Sequence, residues 1–259
     1  MPAPLTKYAM TVLAIGTLSA CSTTGTVQPE APRQTIPTAN SAEVRFPIRS
    51  LDANSAQALA VSEKDKFASL AALASQRPQV RQEIGELELG ILAGDEPGEK
   101  VSQMRFSVLP MGLDFYSHTA KPVADRPDFG EAGIGLFGLG TAVYWNSRFP
   151  YPNGIVAEAP AQLRLLKGRL FSADTSFTLE INEPSMEAIV QECSPVESIS
   201  AQNIHASLTG RATIFGCKTG DASNAKFWYL EDYARYISYD ISYDGSSLSK
   251  ARIKNVKFR

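Results

Sequence analysis

Histidine, cysteine and tryptophan are scarce in this chain, at two, three and two residues in 259. Neither histidine, His118 in YSHTAK or His205 in NIHAS, belongs to an HExxH or stands beside a cysteine, which excludes the common zinc-hydrolase pattern. No CxxC occurs to begin a tetrahedral zinc site, and no GxSxG occurs to form a nucleophile elbow. Neither sign of charge dominates, with 25 Lys+Arg against 27 Asp+Glu and a formal net charge of −2. Basic blocks and stripes are lacking too, so the footprint of a nucleic-acid binder is missing. No apolar run reaches the roughly 20 residues of a bilayer-spanning helix, and neither a repeat period nor a heptad is found.

What is present starts at the N-terminus. Lys7 precedes an apolar stretch from Tyr8 to Leu18, which closes on the small pair Ser19 and Ala20 and then on Cys21. A positive start, an apolar middle and small residues at the exit are the three parts of a secretory signal. With LSAC at 18 to 21, the chain resembles a bacterial lipoprotein precursor carrying a lipobox. The resemblance implies cleavage before Cys21, a diacylglyceryl group on its sulfur and acylation of the freed amine. Several acyl chains anchor firmly where one binds only marginally. Ser22 stands where the class often has an Asp for inner-membrane retention, so the expected address is the outer membrane, with the body facing the periplasm.

The expected organisation is a signal peptide over 1–20, a lipidated cysteine and flexible tether over 21–50, an α+β part over 51–160 and a β-rich part over 161–259, the last two being open to reading as one domain. The tether is rich in Thr, Ser and Pro and has too few large apolar residues to offset the entropy of ordering. Beyond Cys21 only Cys193 and Cys217 remain, an even count for an oxidising compartment, and they are expected to form a disulfide.

The expected fold class is α+β, an N-terminal helix followed by a mainly antiparallel β domain. The helix is placed at 51–76, where Ala56, Leu59, Ala60, Phe67, Leu70 and Ala74 recur at helical spacing. A strand is expected from about Leu87, a turn at GDEPGE, and another strand in KVSQMRFSVLP. FTLEI at 177–181 and YISYDISY at 236–243 alternate as half-buried strands do, the latter with Ile237, Tyr239, Ile241 and Tyr243 on one face. DGSS then turns the chain into a closing hairpin. PSMEAIVQEC at 184–193 suits a short helix or a strand.

Several motifs have plainer explanations than chemistry. GIGLFGLG carries Gly133, Gly135 and Gly138 in a GxGxxG, but no parallel strand precedes it and no amphipathic helix follows, so no nucleotide partner is expected. The apolar run 132–145 reads as buried core. DISYDG imitates a calcium loop whose twelfth place is Ala251 in the position of a Glu. SLSK at 247–250 lies in the returning arm of the hairpin, away from any helix start. Asp114 and His118, four apart in GLDFYSH, could meet on a helix, but that segment reads as strand or loop. Aromatics crowd KFWYLEDYARYISYDISY; sheet packing explains them, and Trp228, Tyr229, Tyr233 and Tyr236 are the candidate contacts for a protein or glycan partner.

No cofactor, metal site or catalytic residue is assigned. The expected role is a membrane-anchored periplasmic lipoprotein acting as a non-enzymatic accessory or binding subunit of an envelope assembly. Its partners would be the lipid bilayer, through acyl chains on Cys21, and an envelope protein or glycan. The alternatives are a glycan- or peptidoglycan-binding module and an envelope hydrolase.

Overall fold

The computed structural model describes residues 52–94, 98–120, 129–146, 155–156, 161–182, 188–220 and 223–259. The signal peptide, Cys21 and the tether lie outside the described residues. Two short helices open the described chain, α1 (Ala53–Ser62) and α2 (Ala68–Ala74). Asp52 caps α1 by accepting from the Ser55 backbone N–H at 2.8 Å, while Ser55 Oγ accepts from the Asp52 N–H at 2.9 Å. This reciprocal box satisfies two of the donors that a helix start leaves over.

After the helices the described residues are mainly strand, with three short 3-10 turns among the connections. In chain order the strands are β1 (Ile84–Ala93), β2 (Lys100–Val108), β3 (Asp114–Ala120), β4 (Phe129–Gly135), β5 (Thr141–Asn146) and β6 (Ile155–Val156). They continue as β7 (Gln162–Gly168), β8 (Phe177–Asn182), β9 (Ile189–Ser200), β10 (Arg211–Thr219), β11 (Ser223–Leu230), β12 (Arg235–Tyr243) and β13 (Ser246–Phe258). All belong to one antiparallel sheet ordered β6-β5-β4-β3-β2-β1-β13-β12-β11-β10-β9-β8-β7. Consecutive strands are neighbours in the sheet except β6 and β7, which stand at its two ends, and β1 pairs in addition with the last strand along nearly its whole length. The two halves of the chain are therefore joined inside one sheet. Twelve of its 13 strands form a nearly closed barrel, and the Ala161 N–H donates to the Ala142 carbonyl at 2.8 Å where the two ends of the sheet approach.

The expected α+β class is thus overturned: antiparallel strands dominate the described residues, and only the two short α-helices accompany them there. The single helix expected over 51–76 fails between Glu63 and Phe67. There Glu63 leaves helical geometry with its N–H bonded to the Leu59 carbonyl, and Phe67 starts the second helix without a side-chain cap. Its apolar spacing is real, since Ala56, Leu59, Phe67 and Leu70 are all buried, but it is shared between two helices lying against β3 and β7.

Alternation decides which side of each strand is wet. On β13, Ala251 and Ile253 are buried while Lys250 and Arg252 are exposed. Across the sheet, Lys257 Nζ reaches Glu86 at 2.9 Å, and Glu99 accepts from both Arg252 and Lys254. Further round, Arg164 meets Glu180 at 3.0 Å. Lipid-facing positions of a membrane barrel disfavour such charges, so these faces are built for water.

Cys193 on β9 and Cys217 on β10 stand directly opposite each other, with Cα atoms 4.1 Å apart and sulfurs at disulfide distance. Both are buried.

Candidate functional site

The side chains of β12 change sides part-way along the strand. Opposite β11 the register passes from Lys226 with Asp240 to Phe227 with Ser238, which leaves Tyr239 as an extra residue. An extra residue of this kind is a β-bulge, and it re-aims the side chains that follow it. Tyr236 and Ser238 therefore lie on the side of Phe227 and Tyr229, while Arg235 and Ile237 lie on the side of Leu230 and Trp228. Two apolar clusters result. One holds Tyr236, Phe227, Phe215 and Phe177 with both helices, and the other holds Ile237, Leu89, Phe106 and Ile253.

The same strand parts from β13. Only Asp240–Tyr243 of β12 pair with β13, and beyond Lys250 the partner of β13 is β1. The turn between β4 and β5 meets the freed start of β12, where the Tyr236 N–H donates to the Phe137 carbonyl at 2.9 Å. Close approach explains the glycines that imitated a nucleotide loop. A Cβ on Gly138 would collide with the Tyr236 carbonyl, and one on Gly133 would sit 2.7 Å from the Tyr116 ring. GxGxxG here is a hairpin whose backbone must touch its neighbours.

A cavity of about 60 Å³ lies at this parting. Its apolar wall is Leu89 and Ile91 of β1, Met104 and Phe106 of β2, and Ile237 of β12. Gly135, Gly138 and Gly140 form a flat side, and the polar groups are Asp114, Tyr116, His118, Thr141 and Ser238. Asp114, Tyr116 and His118 share one face of β3 because successive strand side chains alternate; the segment expected as strand or loop is a strand.

Internal partners already occupy most of these polar groups. Both Nη atoms of Arg235 donate to Asp114, each at 2.8 Å, and both side chains are buried. Burial pushes the Asp114 carboxyl above the ordinary carboxylate range, with the charge and hydrogen bonds of Arg235 opposing it. The Arg235 guanidinium lies 4.0 Å from the centre of the Phe106 ring, a cation-π contact in a desolvated place. His118 Nε2 is paired with Ser102 Oγ. Tyr116 Oη and Thr141 Oγ1 make a long contact of 3.3 Å. Two residues of the lining differ: Ser238 Oγ and Tyr236 Oη are buried with no hydrogen-bond partner among the described residues.

The aromatic segment is placed mostly inside. Tyr229, Tyr233 and Tyr236 are buried. The Tyr229 hydroxyl donates to the Phe171 carbonyl at 2.9 Å, its ring stacks on Tyr236 at 4.6 Å, and Tyr233 stacks on Phe258 at 5.4 Å. Trp228 alone of the four is half-buried, stacked on Tyr239 at 4.2 Å with the rings within 6° of parallel. The sequence reading missed Arg235 and Ser238. A charged residue at the head of the apolar strand RYISYDISY was the available signal for the first.

No family model matches this chain, and no curated protein matches it either. Among the described residues no helix is long and apolar enough to cross a membrane, and no cluster of His, Cys, Asp and Glu has the makings of a metal site.

Proposed function

We propose that this chain is an outer-membrane lipoprotein, held by acyl chains on Cys21, whose barrel serves an envelope assembly as a non-enzymatic binding module. The cavity at the parting of β12 and β13 carries this reading. It combines an apolar wall with polar groups whose ionisable members are already committed to Arg235 and Ser102. Such a site suits holding a molecule: a carboxylate locked in a bidentate fork is a poor proton carrier. The charged outer faces suit a body standing in water on a tether. Radiolabelled palmitate and membrane fractionation test the anchor. The native chain should take up label and sediment with outer membranes, whereas Cys21→Ser should lose both; unaltered fractionation of the variant refutes the anchor.

One observation favours a glycan-binding reading as second. Trp228 and Tyr239 form a partly exposed stacked pair, and flat aromatic faces suit sugar rings. Retention on peptidoglycan or polysaccharide that Trp228→Ala abolishes, with the melting temperature unchanged, would establish it over the cavity reading.

A further inference from the structure

The outer face of β13 is basic although no basic run announces it. Lys250, Arg252, Lys254 and Lys257 are interleaved with the buried Ala251, Ile253 and Val256. A strand shows alternate side chains on one face, so charges that are diluted along the sequence gather in space. Arg105 of β2 joins them opposite Glu86, and Glu99 reaches in from just before β2. With Glu88, opposite Asn255, the described residues of this face make five cations against three acids. The chain as a whole has a formal net charge of −2.

Two of the acids lie beneath the cations. Glu86 meets Lys257 at 2.9 Å and Arg105 at 3.5 Å, and Glu99 meets both Arg252 and Lys254. Glu99 lies down over Gly90, where a Cβ would run into its carboxylate. The side chains of Glu86 and Glu99 are each 18% exposed, whereas those of Lys257, Arg105 and Arg252 are 63%, 69% and 70% exposed. Water therefore meets positive charge here. Other outer faces pair one to one, Arg164 with Glu180 and Lys226 with Asp240, so the excess is local. From Lys250 to Lys257 it extends about 23 Å at 3.3 Å per residue. Cations spread along a strand suit an extended anionic plane better than a single bound anion.

Resting on the reading of the chain as an acylated lipoprotein, we propose that this face docks on the anionic head groups of the bilayer that holds Cys21. The tether brings the two together. Residues 21–51 reach about 30 Å as a flexible chain, which keeps the body where a surface potential, felt over roughly 8–10 Å, captures it. An anionic plane repels the remainder of a negative molecule and selects its positive face. Leu89, Ile91, Met104 and Phe106 line the cavity from the opposite side of β1 and β2, so docking turns the cavity side of these strands away from the bilayer.

The test is acetylation of the native acylated chain, reconstituted in vesicles, by a membrane-impermeant amine reagent, with modified lysines read by mass spectrometry. In equimolar phosphatidylglycerol and phosphatidylethanolamine, Lys250, Lys254 and Lys257 should react about fivefold more slowly than in phosphatidylcholine alone, the weight of one lysine near an anionic surface. Lys167 and Lys218, exposed on β7 and β10, should react alike in both. Salt at about 1 M, where the Debye length is about 3 Å, should remove the protection. Arg105→Gln with Arg252→Gln leaves as many acids as cations on the face and should remove it at low salt, with the melting temperature little changed because exposed pairs contribute little. If that variant does not fold, Lys250→Gln with Lys257→Gln, read at Lys254, carries the comparison. Equal reaction in the two vesicle types, with the chain sedimenting with both, overturns the docked face and leaves the anchor standing. Protection seen in isolated envelopes but absent from anionic vesicles makes an envelope polyanion the occupant and overturns the bilayer. Failure of the chain to sediment with either vesicle overturns the anchor and the docking together.

Discussion

The carboxylate of Asp114 accepts both of its hydrogen bonds from Arg235, 121 residues further along the chain, with the two side chains 2% and 0% exposed. The pair ties β3 to β12, strands that are not neighbours in the sheet. Removing one partner strands the other charge in a dry place, so Arg235→Met or Asp114→Leu alone should cost about 3–5 kcal/mol. Because desolvation dominates at Asp114, the double variant should recover most of that loss. The sign with pH follows from the raised carboxyl. Its contribution to stability is full below the unfolded value of 3.8 and is lost as pH rises through the folded value. The double variant should therefore gain on the native chain as pH climbs from that value towards neutrality. Urea unfolding of the four chains checks this, and losses that simply add would show the pair to be uncoupled.

Alkali should act through the buried phenols. Burial pushes Tyr229 up to about 12 from 10.0, and pushes Tyr236 further in the same direction. A group raised in the folded state stabilises fully below its unfolded value and loses that contribution as pH passes through the folded one. Stability should therefore fall from pH 10 to about 12, and absorbance at the phenolate band should show these two rings ionising only as the barrel unfolds. Tyr229→Phe should flatten the slope and sacrifice the hydrogen bond to the Phe171 carbonyl. A smooth titration of every tyrosine in the folded chain would contradict the burial argument.

Local signals in the sequence reached the strands and stopped where the chain crosses itself. FTLEI and the final hairpin were legible because a half-buried strand writes its period of two into the residues. The grouping of Ile237, Tyr239, Ile241 and Tyr243 on one face was also read from that period, and the bulge at Tyr239 breaks it. Ile241 pairs with Ala225 and shares the side of Ser238, and nothing local announces an inserted residue. Ser238 thus looked like an ordinary outward serine. Asp114 and Arg235 were illegible for another reason: each belongs to a different end of the fold, and only closure of β13 onto β1 brings them together. The helix was over-read because apolar spacing continued through Glu63 to Phe67, where two helices share one buried stripe.

The cysteine pair predicts a defined loss of stability. Cys193 and Cys217 are 24 residues apart and lie opposite each other on β9 and β10. Closing a loop of that length restricts the unfolded chain by about 3 kcal/mol in the entropy model. Cys193→Ala with Cys217→Ala should lose that amount in urea and raise the denaturant slope, since the unfolded chain opens further. Both sulfurs are buried, so reductant should act only after global opening. Two separately alkylated peptides from the unreduced protein would remove the bond from the account.

Two glycines separate backbone strain from collision. Gly138 and Gly220 both have positive φ, 89° and 60°, and alanine at either accepts a conformation that L-residues avoid. They differ in what a Cβ meets. At Gly220 no atom lies within 4 Å, so Gly220→Ala should cost only about 1–2 kcal/mol. At Gly138 the added carbon runs into the Tyr236 carbonyl, and the β4–β5 turn must lift from β12, breaking the bond from the Tyr236 N–H to Phe137. That substitution should cost at least about 2 kcal/mol more than its partner, in the range of overpacked cores. Equal losses at the two positions, measured by urea midpoints, would mean that the turn does not press on β12 in solution.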